Sequence, residues 1–243
     1  MISSFFVRFF KSGFGIRKLV RSARLVKVRR EIVSHIQKGA RPTTRRETSA
    51  LLGAPVLLAD PEVEAIQKYA GMVDKVITEI GCAYGGSSLL WLLGKKNGVK
   101  LYSIDPFVTD SMDAFRATRD LCYNHVTQAI KDVGKSDCVS DWDLIPEYSY
   151  NAVKVWDTPI DILFIDGDHT YKAVKQDYDD WVPKVRQGGY ILFHDSCIIP
   201  GTPKGKYNKG WPDPSKFTDE LLAADPSLLV ERVHSITVLR KNN

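Results

Sequence analysis

Glu79-Ile80-Gly81-Cys82-Ala83-Tyr84-Gly85-Gly86-Ser87-Ser88 decides how this 243-residue chain is read. A strand over Lys75–Ile80 runs into it, and an apolar helix leaves it over Ser87–Leu93. Gly81, Gly85 and Gly86 let the backbone turn tightly and approach a ligand closely. Ser87 and Ser88 are suited to cap the helix that follows. The spacing is not GxGxxG, and no Gly-Lys-Ser/Thr ending follows, so the loop is neither a dinucleotide fingerprint nor a phosphate loop. Its acidic start suits a cationic or amino-bearing ligand. Glu79, Gly81, Ala83, Tyr84, Gly85 and Ser87 are therefore the expected contacts of a small molecule.

Outward from the loop, strands and helices alternate. A second strand is expected over Lys100–Ile104, a third within Val139–Ile145, a fourth over Ile160–Ile165 and a fifth over Tyr190–Phe193. Helical segments are expected over Asp60–Tyr69, within Asp113–Val133, and over Ser149–Trp156 and Tyr171–Trp181. Asp60 reads as the N-cap of the first of these and Pro61 as its first helical residue. Past Asp161 the fourth strand, like the fifth, is an unbroken apolar run, as parallel strands buried on both faces are. The pattern predicts an α/β, doubly wound, mostly parallel seven-stranded sheet with ligands at the carboxyl ends of its strands. Leu228–Arg240, split by His234-Ser235, reads as a closing hairpin with one antiparallel strand.

Three strand ends carry chemistry. Asp105 ends the second strand, where an acid can accept both hydroxyls of a ribose. Tyr148 and Ser149, before a short helix, are candidates for an adenine slot. Asp166-Gly167-Asp168-His169 follows the fourth strand and His194-Asp195 the fifth. Carboxylates gathered at one rim need a compensating cation or proton. Asp166, Asp195 and His194 are thus candidate ligands for a divalent cation, Mg²⁺ or a similar hard ion. His169 is the candidate base, with Asp166 beside it as a second catalytic residue that also faces the cofactor.

The net charge of +5 conceals an asymmetry. Residues 1–46 hold thirteen Lys/Arg against the single acid Glu31, so this leader carries +12 and the remainder −7. Phenylalanines and aliphatics interleave with the arginines of residues 1–30 at roughly helical spacing. A basic helical extension over residues 1–46 ahead of a domain over 47–243 follows. Such a helix suits an anionic membrane surface, or packing on a partner subunit in a homo-oligomer. No recognition module for nucleic acid accompanies the charge. Cys82, Cys122, Cys138 and Cys197 form no CxxC pair, and no apolar run reaches 18 residues. A cytoplasmic protein, peripheral at the inner face of the membrane, is the expectation.

Ile165-Asp166-Gly167-Asp168-His169-Thr170-Tyr171, with Trp181, Gly188-Gly189-Tyr190 and His194-Asp195, resembles a bacterial family of class I methyltransferases related to the macrocin-type sugar O-methyltransferases. With Glu79–Ser88 and Asp105 the resemblance covers about residues 60–240. It implies a Rossmann-like methyltransferase fold with S-adenosylmethionine (SAM) held by Gly81–Ser87 and Asp105. It implies O-methylation of a sugar, glycan precursor or small metabolite, in polysaccharide or antibiotic pathways. Asp166 and Asp195 match metal-ligand positions of the metal-dependent relatives, and His169 the base. His194 departs from relatives that carry a carboxylate there. The alternatives are a non-catalytic methyltransferase-like partner in glycan assembly, and a hydroxylase or nicotinamide enzyme sharing the same edge.

Overall fold

A computed structural model describes residues 26–108, 117–197 and 211–242. Most of the expected basic amphipathic helix, residues 1–25, lies outside the described residues, as do residues 109–116 and 198–210. Among the described residues no helix is long and apolar enough to cross a membrane.

Residues 26–37 form a helix (α1) whose Ile32 and Ile36 are buried in the main core. Its Arg29 pairs with Asp132 and donates to the Leu51 carbonyl at 3.0 Å. The Gly- and Pro-containing stretch that follows holds a helix, α2 (Arg45–Leu52), started by a Thr44–Glu47 capping box. The next helix, α3 (Asp60–Ala70), begins one residue earlier than expected, with Ala59 at the N-cap. Asp60 instead accepts from the Arg45 amide at 2.7 Å, so its carboxylate serves the start of α2.

The sheet has seven strands in the order β3-β2-β1-β4-β5-β7-β6. They are β1 (Val76–Ile80), β2 (Lys100–Ile104), β3 (Trp142–Ile145), β4 (Ile160–Ile165), β5 (Val185–Phe193), β6 (Leu229–Val233) and β7 (Ile236–Arg240). The first five are parallel; β7 runs antiparallel to both β5 and β6. The helices between them are α4 (Gly86–Gly94), α5 (Arg119–Asp132), α6 (Ser149–Ala152), α7 (Tyr171–Trp181) and α8 (Pro212–Ala224). One core lies on the α1–α5 face and a second on the α7–α8 face. All nine residues of α4 are buried, as its unbroken apolar sequence requires.

Register positions the site. Ile80 pairs with Ile104 and with Ile165, and Ile165 pairs with Phe193. One step further along each strand, Gly81, Asp105, Asp166 and His194 therefore stand side by side at the carboxyl rim. The closing hairpin turns at His234-Ser235, with His234 at φ 55°.

Candidate active site

The strand-to-helix loop is held by backbone. The Gly81 amide donates to Ile104 O at 2.8 Å, and the Asp166 amide to Ile80 O at 2.8 Å. Gly81 has φ +85°, and a Cβ there would lie 2.1 Å from the Asp166 carbonyl oxygen. Only glycine accommodates both conditions. Asp105 reaches back: Oδ2 accepts from the amides of Cys82 and Ala83 at 3.0 and 2.9 Å, and Oδ1 from Phe107 at 2.8 Å. This carboxylate builds the loop and, half-buried, also borders the cleft. Neither serine caps α4, whose N-cap is Gly85 at φ 88°. The first turn of α4 instead brings Gly86 and Ser87 to the cleft.

The cleft measures about 1240 Å³, enough for a nucleoside cofactor and an acceptor together. Gly81, Ala83, Tyr84, Ser87, Asp105, Tyr148, Ser149, Asp166, His169, His194 and Asp195 all border it. Tyr148 stacks on Tyr150 with centroids 5.1 Å apart, forming an aromatic platform at the mouth. The Ser149 hydroxyl donates to Asp177 at 2.5 Å, so that hydroxyl is already committed.

Two of the expected contacts do not line this cleft. Gly85 does not border the cleft; it lets α5 approach, because a Cβ there would meet Val126 at 2.3 Å. Glu79 does not border it either. Its side chain follows the β1–β2 register toward Ser103, whose hydroxyl donates to Oε1 at 2.5 Å, with Ser88 also donating to Oε1. Its Oε2 is buried without a hydrogen-bond partner among the described residues.

Burial pushes the Glu79 carboxyl up to about 7, outweighing the serine hydrogen bonds that lower it. Its proton is held more tightly in the folded chain than in the unfolded one. This contribution to stability is complete below about pH 4.5 and is lost as pH climbs toward 7, amounting to about 3 kcal/mol. Thermal melts of the wild type are expected to fall over that window. Glu79→Gln is expected to flatten the fall; an unaltered pH dependence in that variant would remove Glu79 as its cause.

At the catalytic edge, His169 Nε2 lies 3.3 Å from Asp195 Oδ2 and 3.8 Å from Asp166 Oδ1. The side chain is partly exposed, with the Nε2 atom itself buried. Burial alone would lower its pKa, but the Asp195 and Asp166 carboxylates together raise it. Asp195, at φ 50°, is held below the usual carboxylate range: burial opposes this, but the imidazoles of His169 and His194 prevail. His194 is fully enclosed, with Nδ1 2.9 Å from Asp166 Oδ1 and Nε2 3.2 Å from Glu62 Oε2. The Trp211 ring stands 5.0 Å from that of His169.

The ligating atoms of Asp166, His169 and His194 lie within 4.8 Å of one another. Asp195 is not in that set: its Oδ2 is directed at the two imidazoles. The group that can hold a cation thus differs from the expected one by exchanging Asp195 for His169.

Sequence reasoning missed Glu62, His234 and Ser235, which meet behind this edge. Asp60-Pro61-Glu62 carried only the signal of a helix start, and an acid in a first helical turn is usually solvated.

Residues 78–196 match a methyltransferase-domain family. The uncharacterized protein R132 of Acanthamoeba polyphaga mimivirus is 36% identical over 185 residues, covering 68% of this chain and 74% of its own length. The chain belongs to the methyltransferase-domain family. Among solved structures, the methyltransferase resembles the O-methyltransferase of Bacillus cereus in complex with S-adenosylhomocysteine (SAH), at TM-score 0.55 and 17% identity, over 83% of this chain and 92% of that one. It also resembles a TDP-rhamnose 3'-O-methyltransferase of calicheamicin biosynthesis, at TM-score 0.53 and 14% identity, over 90% and 94%. At these identities the likeness is one of fold. The 3-2-1-4-5-7-6 sheet and the domain match make this an enzyme of SAM-dependent methyl transfer.

Proposed function

We propose that this methyltransferase moves the methyl group of SAM to a hydroxyl oxygen of a sugar or similar small polyol. The observation that carries the reading is one cleft that joins the Gly81–Ser87 loop and Asp105 to Asp166, His169 and Asp195. The loop and Asp105 take the amino-acid and ribose parts of SAM; Tyr148 and Tyr150 take the adenine. The acceptor lies against His169. As its oxygen attacks the methyl carbon and the C–S bond breaks, the hydroxyl proton passes to His169 Nε2. Asp166 and Asp195 balance the imidazolium that forms. Trp211, 45% exposed beside His169, offers a flat apolar wall for a pyranose ring.

The ligating atoms of Asp166, His169 and His194 lie close enough to hold a divalent cation, but a His169 Nε2 bound to it has no lone pair left for the proton, so ligand and base are alternative uses of that nitrogen. When bound, the cation would supply a Lewis acid toward the acceptor hydroxyl. One carboxylate and two imidazoles suit a first-row transition ion better than the expected Mg²⁺.

Calorimetry with SAH tests the donor half, and SAH release across a panel of sugars and polyols tests the acceptor half. Asp105→Ala is expected to weaken SAH by about 1–3 kcal/mol, through an unpaired ribose hydroxyl and a loosened loop. No SAH binding at millimolar concentration by the wild type would sink the reading.

A further inference from the structure

Glu62 lies on the first turn of α3, outside residues 78–196, and is 1% exposed. Its two oxygens serve five groups. Oε2 accepts from the Ala59 amide at 2.6 Å and faces His194 Nε2 at 3.2 Å. Oε1 faces His234 Nδ1 at 2.8 Å and accepts from the Ser235 amide and hydroxyl at 3.0 and 2.5 Å. One buried carboxylate therefore ties together the start of α3, the turn of the β6–β7 hairpin and the residue after β5.

From this geometry we infer that Glu62 is a positioning residue: it holds the His194 ring so that Nδ1 faces Asp166, and through that contact it fixes Asp166 at the acceptor rim. The inference rests on the role proposed for Asp166. An imidazole anchored at one nitrogen can turn over about its outer side-chain bond, where rotamer preference is weak. Anchored at both, His194 cannot turn without breaking a contact to a carboxylate. Each carboxylate only accepts, so each ring nitrogen must present a positive group: a proton at Nε2, and a proton or a ligated cation at Nδ1. A hydroxyl in place of Glu62 could donate to Nε2 and would lose this control. The raised pKa of His194 and the Glu62 carboxyl held down at about 2 agree with a ring clamped between two anions. The groups facing this ring are Glu62 from α3, and Asp166 and Asp195 from the rim; His169 completes the cluster and His234 shares the Glu62 carboxylate.

The test is nitrogen-15 histidine NMR on the full chain at one fixed pH with chelator present. The chain has five histidines, and His194→Gln assigns the signal of interest by its disappearance. The wild type is expected to show a slowly exchanging proton on His194 Nε2. Glu62→Gln is expected to speed that exchange at least about tenfold, as the local opening cost falls. SAH affinity is expected to stay within about twofold, since Glu62 does not border the cleft. If Glu62→Gln does not fold, Ser235→Ala replaces it. That variant removes one donor to Oε1 and is expected to speed the exchange several-fold. Unchanged exchange in the folded variant overturns the inference, as does a loss of SAH affinity in step with the exchange, which would mark Glu62 as a purely structural residue. The readout needs neither methyl donor nor acceptor, so failure of the proposed function would be seen separately, in wild-type calorimetry.

Discussion

Gly81→Ala is expected to lower the melting temperature by about 5–15 °C and to abolish SAH binding. Two costs add. The native φ of +85° is one that an L side chain rarely adopts, and it costs about 1–2 kcal/mol. The new Cβ would also fall 2.1 Å from the Asp166 oxygen and 2.6 Å from its carbonyl carbon. Both are backbone atoms of β4's exit and cannot swing aside, so overpacking adds about 1–3 kcal/mol. For a chain of this size each kcal/mol moves the midpoint by about 2–4 °C. Relief of the overlap must part the ends of β1 and β4, which carries the loop amides away from Asp105 and Asp166 away from His194. Gly98→Ala is the control: its φ is +78°, but nothing lies within 4 Å of the new Cβ. It is expected to melt only a few degrees low and to bind SAH normally. Equal losses in the two variants would mean that backbone conformation alone matters and that the crowding argument fails.

The sequence was most legible where composition and punctuation agree. The strands over Lys100–Ile104 and Ile160–Ile165 stand where expected because each is rich in β-branched, aromatic and leucine residues and stops at an acid beside Pro or Gly. The helix Tyr171–Trp181 is also where expected, its start set by Thr170, whose side chain accepts from the Ala173 amide. β5 was harder. It begins at Val185, five residues before the expected Tyr190, because Arg186-Gln187-Gly188-Gly189 reads as a turn and joins the sheet only through a register shift against β4. The reading of the loop by residue type also had a limit. Glu79 and Gly85 look like ligand contacts in a line of letters, but strand alternation sends Glu79 toward Ser103, and α5 closes over Gly85. Glu62 was invisible for a different reason. Its partners lie 132 and 173 residues away, and no local pattern marks an acid for burial among them.

Asp166→Asn is expected to slow methyl transfer by about 10²–10⁴-fold while SAH affinity changes by less than about threefold. Asparagine keeps the size of the side chain and one oxygen, so the half-buried rim loses charge without gaining a cavity. Two consequences follow at the proposed acceptor side. His169, 3.8 Å from Asp166 Oδ1, loses part of the field that would stabilise its protonated form as it takes the acceptor's proton. His194, whose Nδ1 faces the same oxygen at 2.9 Å, loses one of the two carboxylates that clamp its ring. The donor side keeps its supports, because the loop hangs on Asp105 and on the Gly81 and Asp166 backbone amides. Asp105→Ala should therefore give the reciprocal pattern, with SAH affinity lost first and the rate at saturating SAM lowered less. Measuring both variants by SAH release, on whichever acceptor the panel yields, and by calorimetry separates the two halves of the cleft. If Asp166→Asn lowered SAH affinity as far as it lowered the rate, Asp166 would belong to the donor side. The proton would then have to leave the acceptor through Asp195 and His169 alone.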